Sequence, residues 1–281
     1  MNKTFCMIAE IGGTHIGNLD RAKYLTKLAK ESGADVLKTQ KRNPKESVKK
    51  ELWDKPHPNS RFAYGDTYLK HRINLELNQN QHAELKKYCE SINIEYSTSV
   101  WDMTSAREII ELNPKLIKIP SACNDNKEMI NYLYDNYEGE IHISMGMTTL
   151  EERSHILKYY TNHRSRTVLY HCTSGYPVPF KDIHLKEITK LMRVVPSTHL
   201  GFSNHGYGIA LEMAAYALGT RYFERHFIDD RAFPHTDSAP SVEPQGMKKL
   251  CRNLEAIEDA MQDKPDYVIA LEMEQRNKLR S

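Results

Sequence analysis

Short apolar runs alternate along the chain with amphipathic stretches of helical period. The runs Phe5–Glu10, Asp35–Gln40, Ile94–Ser99, Leu116–Pro120, Ile141–Met145, Val168–Cys172, His199–Ser203 and Arg221–His226 are apolar at most positions, as strands buried on both faces of a parallel sheet must be. Between them Leu19–Ser32 puts Ala22, Leu25, Leu28 and Ala29 on one face, with Asn18 placed to cap its start and Gly33 just past its end. The same spacing predicts helices over Gln81–Ser91, Thr104–Leu112, Lys127–Asn136, Leu150–Tyr160, Leu185–Leu191 and Gly208–Leu218. A last one, Pro244–Met261, opens on Pro and carries Met247, Leu250, Leu254 and Ile257 at helical spacing. Eight strands, each followed by a helix, predict an α/β fold: a single (β/α)8 TIM barrel over residues 1–261, because right-handed crossovers close such a run into a ring. A doubly wound open sheet is the alternative, but no G-x-G-x-x-G follows the first strand.

Two segments break the rhythm. Lys41–Leu77, after the second strand, is too long for an ordinary βα connection and is rich in Pro, Lys, Asn and aromatics; such loops tend to be lids or binding loops. Gln262–Ser281 is polar and charged, and reads as a tail or a final helix packed beneath the barrel or on a partner. No internal repeat or low-complexity tract interrupts the chain.

Composition narrows the function classes. Lys and Arg number 39 against 37 Asp and Glu in 281 residues, which excludes a broadly basic nucleic-acid binder. Hydrophobic residues at 40% and charged residues at 27% suit a sizeable core rather than a disordered chain. A mean hydropathy of −0.65 and the lack of an apolar run of about 18 residues argue against a membrane span. Met1–Glu10 is short and interrupted by Lys3 and Thr4, unlike a signal peptide. The five cysteines (Cys6, Cys89, Cys123, Cys172 and Cys251) are scattered and never form C-x-x-C, so a disulfide or zinc framework is not expected and a reducing cytoplasm is the expected compartment.

In a barrel, chemistry collects where the strands end. Those ends carry Glu10 and His15; Lys38, Gln40, Lys41 and Arg42; Ser97, Thr98 and Ser99; Lys118 and Ser121; Ser144; His171 through Tyr176; Ser203, Asn204 and His205; and Glu224, Arg225, His226 and Asp229. Small hydroxyls and Lys38 suit phosphate and carboxylate oxygens. His205 and His226, on neighbouring strand ends, can share one divalent metal while leaving open positions for substrate. The residues themselves thus point to a metal-assisted enzyme acting on an anionic small molecule.

The segments Ala9–Gly17 (AEIGGTHIG), Lys38–Lys41 (KTQK), Gly65–Tyr68 (GDTY), Ser144–Met147 (SMGM), His171–Pro177 (HCTSGYP), Gly201–His205 (GFSNH) and Glu224–Phe227 (ERHF) together resemble the sialic acid synthase family, in order and over nearly the whole chain. The resemblance implies condensation of phosphoenolpyruvate with an N-acylhexosamine, another hexose or its 6-phosphate, to give a nonulosonic 2-keto acid. It implies that Lys38, Thr98, Ser121, Ser144, Ser174 and Ser203 cradle phosphoenolpyruvate, and that Gln40, Asn59, Tyr176 and Asp237 contact the sugar. His205 and His226 would bind Mn2+ or Mg2+. Glu10 would be general base toward the water that adds at C2, or would orient it, with a water held by the metal as the alternative. The His171-Cys172 pair would be scaffold, and family analogy favours a homodimer.

Three departures accompany the resemblance. The chain ends where the family's C-terminal antifreeze-like domain would begin, so that domain and its acyl-contacting arginine are not expected. Cys123 stands where an acidic sugar-binding residue is usual, and His235-Thr236-Asp237 replaces a glycine-containing segment. Together they imply an altered acceptor, one without the N-acyl group or a phosphorylated one held by Lys41, Arg42 or His235. The competing readings are a synthase of a shorter 3-deoxy-2-ketoaldonate and a non-catalytic sugar-phosphate-binding barrel.

Overall fold

Eight parallel strands close into one ring in chain order: β1 (Cys6–Gly12), β2 (Val36–Lys41), β3 (Glu95–Val100), β4 (Leu116–Ile119), β5 (Glu140–Ser144), β6 (Thr167–Cys172), β7 (Leu200–Asn204) and β8 (Tyr222–His226). This computed structural model describes residues 3–280; Met1 and Asn2, in the Met1–Glu10 segment, and Ser281, at the end of Gln262–Ser281, lie outside the described residues. All eight expected strands form, and the barrel rather than the open sheet is correct. β1 runs two residues past Glu10, and its pairing with β2 shifts register between Glu10 and Gly12.

The helices follow the periodicity, with ends shifted by at most two residues. Asn18 caps Leu19–Glu31 as expected, its side chain accepting from the Arg21 N–H. The long segment after β2 is less irregular than its composition suggested. It folds into the short helices Pro44–Ser47 and Tyr68–Leu75 and two 3-10 turns, Lys50–Leu52 and Ser60–Phe62. The final stretch does form a helix, Ala270–Leu279, but no residue from 262 to 280 is buried. It is therefore not packed beneath the barrel. Among the described residues no helix is long and apolar enough to cross a membrane.

Side chains along each strand alternate between two environments. Met7, Ala9, Leu37, Ile117, Ile141, Leu169 and Phe223 face the helices in the main core, whereas Ile8, Val36, Leu116, Val168 and Tyr170 fill the barrel interior. The interior has a glycine where it is tightest. Gly201 lies beside Tyr170 in register, and a Cβ there would sit 2.5 Å from the Tyr170 ring. That ring in turn supports the Lys118 ammonium, 3.7 Å above its centroid, so the interior layer is the floor of whatever lies above it.

Buried imidazoles make this packing acid-sensitive. His82 is fully buried, with Nδ1 2.6 Å from the Tyr96 hydroxyl, and burial holds its pKa well below the ordinary value. The native state therefore keeps His82 neutral while the unfolded chain binds a proton below about pH 6.5. Its contribution is complete above that pH and falls as pH drops, by about 2 kcal/mol at pH 5. Urea unfolding of His82→Gln should accordingly lose about 2 kcal/mol less than the parent between pH 7.5 and pH 5. Equal losses would place the acid sensitivity elsewhere.

Candidate active site

The inward-facing positions of the strand ends converge on one cavity at the C-terminal mouth of the barrel. It is lined by Glu10, Lys38, Gln40, Ser99, Lys118, Ser121, Ser144, Cys172, Ser174, Ser203, Glu224 and the paired histidines, with Trp101, Met147 and Tyr176 at its walls. Strand register sets the neighbours. Glu10 pairs with Lys38 on one side and His226 on the other, and Ser99 and Ser203 lie beside Lys118 and Glu224 respectively.

Two lysines and two glutamates interlock on the floor. Lys38 forms an ion pair with Glu10, stands 3.7 Å from Glu224 and donates to Ser99 Oγ at 2.8 Å. Lys118 pairs with Glu224 at 2.7 Å, and Ser203 donates to the other Glu224 oxygen at 3.2 Å. The two carboxylates are driven apart. Burial pushes Glu10 up to about 7, against the pull of Lys38 and with the help of Glu224. Burial also acts to raise Glu224, but Lys118 and Lys38 outweigh it and hold that carboxyl well below the usual range. Opposed shifts of this kind mark sites that carry both acid and base chemistry.

Above the floor, the His205 and His226 rings lie 5.3 Å apart, with Tyr176 4.4 Å from His205. His205 Nδ1 faces the Thr173 carbonyl at 3.1 Å. His226 Nδ1 is buried without a hydrogen-bond partner, and Asp237 stands 3.8 Å from it. Burial lowers His226 to about 4, so its ring is neutral and has a free lone pair. Two imidazoles with an orphaned nitrogen fit a divalent cation as a two-ligand site. Among the described residues no set of three or more His, Cys, Asp and Glu is arranged to hold one, so further ligands would come from substrate and water.

The hydroxyls of Ser121 and Ser174 gather beside Gly146 and, with Ser144, line the cavity; Ser174 Oγ is buried with no partner. Asn124 Nδ2 donates to the carbonyls of Ser144 and Gly146 at 2.9 and 3.0 Å, fixing that loop.

This site has relatives. The chain matches the NeuB family over residues 25–266. The chain belongs to the NeuB family. It is 30% identical over 273 residues to N-acetylneuraminate-9-phosphate synthase of Homo sapiens, covering 97% of this chain and 76% of that protein. It is 33% identical over 266 residues to N,N'-diacetyllegionaminic acid synthase of Campylobacter jejuni, covering 94% and 79%. The crystal structure of N-acetylneuraminic acid synthetase from Leptospira borgpetersenii superposes with a TM-score of 0.81 at 25% identity, covering 99% of this chain and 93% of that one.

Within this NeuB-family barrel, Glu10, Lys38, Gln40, Ser121, Ser144, Ser174, Tyr176, Ser203, His205 and His226 all reach the cavity, and Asp237 stands directly behind His226. Thr98 does not. It is buried on the opposite face of β3, accepting from the Thr39 hydroxyl at 3.0 Å, and the inward residue is Ser99. Asn59 is also away from the cavity: exposed, it caps the Ser60–Phe62 turn by accepting from the Arg61 N–H. Lys41 is engaged by Glu108 at 2.7 Å. His171 is scaffold, hydrogen-bonded to the Ile183 carbonyl, whereas its neighbour Cys172 lines the cavity 3.9 Å from His205 Nδ1. Lys118 and Glu224 stood among the polar strand ends without an assigned role. Their signal was the two-residue period, each lying two positions before another inward residue.

Proposed function

We propose that this chain condenses phosphoenolpyruvate with the open-chain form of an aldose, giving a 3-deoxy-2-keto acid of the nonulosonate type and inorganic phosphate. The observation that carries the reading is the adjacency of two lysines and a serine cluster, suited to a small dianion or trianion, to a pair of imidazoles in one cavity. The named activities of the relatives agree with it.

In this reading Lys38, Lys118, Ser99, Ser121, Ser144, Ser174 and Ser203 hold the phosphate and carboxylate of phosphoenolpyruvate, positioning C3 and stabilising charge as it moves. C3 forms the new bond to the aldehyde carbon, and the aldehyde oxygen takes up a proton. Water then adds at C2 and gives up a proton, for which Glu10 is the nearby base. Phosphate departs with cleavage of the C2–O bond. Gln40, Tyr176 and Asp237 flank the space left for the sugar. His205 and His226 would hold Mn2+ or Mg2+, which when bound supplies Lewis-acid polarisation of the aldehyde.

Incubation with phosphoenolpyruvate, Mn2+ and a panel of aldoses should release phosphate only when an aldose is present. Product mass then tells a nine-carbon acid from a shorter ketoaldonate. No release with any aldose would leave a binding barrel and overturn the reading. Calorimetric titration with Mn2+ should find one site, weakened more than about tenfold in His205→Ala; unchanged binding would remove the metal assignment.

A further inference from the structure

One layer below the cavity, three polar side chains take no part in the condensation chemistry. Tyr170 and His142 lie two positions before the cavity residues Cys172 and Ser144 on β6 and β5, so they enter the barrel interior beneath them. Both are fully buried. His142 Nε2 is 3.0 Å from Glu140 Oε2, and its Nδ1 is 2.8 Å from the Tyr170 hydroxyl. Burial holds His142 below its ordinary pKa, against the pull of Glu140. The ring therefore carries one proton, which the Glu140 carboxylate draws to Nε2, so Nδ1 accepts and the Tyr170 hydroxyl donates. Tyr222 donates to the same Glu140 oxygen at 3.4 Å.

The face of the Tyr170 ring meets the Lys118 ammonium, 3.7 Å from its centroid. Lys118 lines the cavity and donates to Glu224 at 2.7 Å, whereas Lys38 is shared by Glu10, Glu224 and Ser99. Burial lowers the Lys118 pKa; Glu224 opposes this and Lys38 reinforces it. A ring face attracts an ammonium without cancelling its charge, so it can hold Lys118 in place and leave that charge for a bound anion, as a third carboxylate could not. Donation to His142 polarises the Tyr170 hydroxyl and strengthens the face. We propose that Tyr170 is a positioning residue for the substrate anion, its ring holding Lys118 at the cavity floor while the His142–Glu140 pair holds the ring. This rests on the condensation reading above and deepens its anion site.

The test is calorimetric titration of phosphoenolpyruvate into the full chain with the ring altered at position 170. Tyr170→Phe keeps the face and is the reference. Phenylalanines carrying one, two and three ring fluorines at that position then withdraw electron density from the face with little change in shape. Kd should climb at each step, to about tenfold above the reference with three fluorines, while stability in urea, which a packing role would move instead, holds steady. Tyr170→Leu removes the face and covers the case in which the fluorinated chains do not fold; it should weaken phosphoenolpyruvate binding about tenfold without weakening Mn2+ binding. A Kd that is flat across the fluorine series, a Tyr170→Leu variant that binds phosphoenolpyruvate as the native chain does, or a loss of Mn2+ binding in step with it would overturn the assignment while leaving the condensation intact. Absence of phosphoenolpyruvate binding to the native chain would instead take down the condensation reading.

Discussion

Lys38→Met is expected to lower kcat/KM for phosphoenolpyruvate by about 10^3-fold and to destabilise the fold by about 3 kcal/mol. Both effects have one cause. Lys38 is the cation that Glu10 and Glu224 share, and its side chain is almost entirely removed from solvent. Methionine keeps the length and apolar stem but leaves Glu10 without its ion partner, while Glu224 retains Lys118. Removing one member of a buried pair strands the other, and that cost exceeds what the intact pair contributes. The double variant Lys38→Met with Glu10→Gln separates the two effects. It should regain most of the stability in urea unfolding, because no unpaired carboxylate remains, yet stay inactive. A single variant with near-native kcat/KM would show that the ammonium does not hold the substrate anion.

Gly146→Ala should raise the KM for phosphoenolpyruvate by about 10^2-fold with a stability loss of only about 1 kcal/mol. A Cβ at this position would lie 2.6 Å from Ser121 Oγ, 2.7 Å from Ser174 Oγ and 3.2 Å from the Cys172 carbonyl. The loop cannot retreat to make room, since Asn124 holds the carbonyls on both sides of the contact. The added methyl therefore displaces the hydroxyls that the substrate reading assigns to phosphate and carboxylate oxygens. Steady-state kinetics at varied phosphoenolpyruvate check this, and a KM within twofold of native would remove Ser121 and Ser174 from the anion site.

The barrel was readable because a buried parallel strand must be apolar at most positions and a covering helix must keep an apolar stripe. Those two periods alternate eight times without ambiguity, from Cys6–Gly12 to Tyr222–His226. The polar strand ends were readable for the same reason, since Lys38, Lys118, Glu224 and His226 interrupt apolar runs. Choosing among adjacent polar residues was harder. In Ser97-Thr98-Ser99 three hydroxyls are equally suited to an anion, and only the direction of β3 makes Ser99 the cavity residue and turns Thr98 toward Thr39.

Asn59 marks the limit of local reading. Its segment has turn-forming composition, and whether such a turn reaches a cavity depends on how Tyr68–Leu75 and the loop bearing Pro234 pack, with the Tyr64 hydroxyl bonded to the Pro234 carbonyl at 2.8 Å. Arg42 and Trp101 lie 59 positions apart, and nothing in either neighbourhood predicts their stacking. Local periodicity thus dictates the ring, its covering helices and the supply of polar side chains at its mouth, because burial constrains every third or second residue along the chain. Which of those side chains meet, how Glu10 and Glu224 are driven to opposite protonation tendencies, and which donors are left without acceptors follow from closure of the ring. Charge and desolvation act through distances that exist only once remote strands lie side by side.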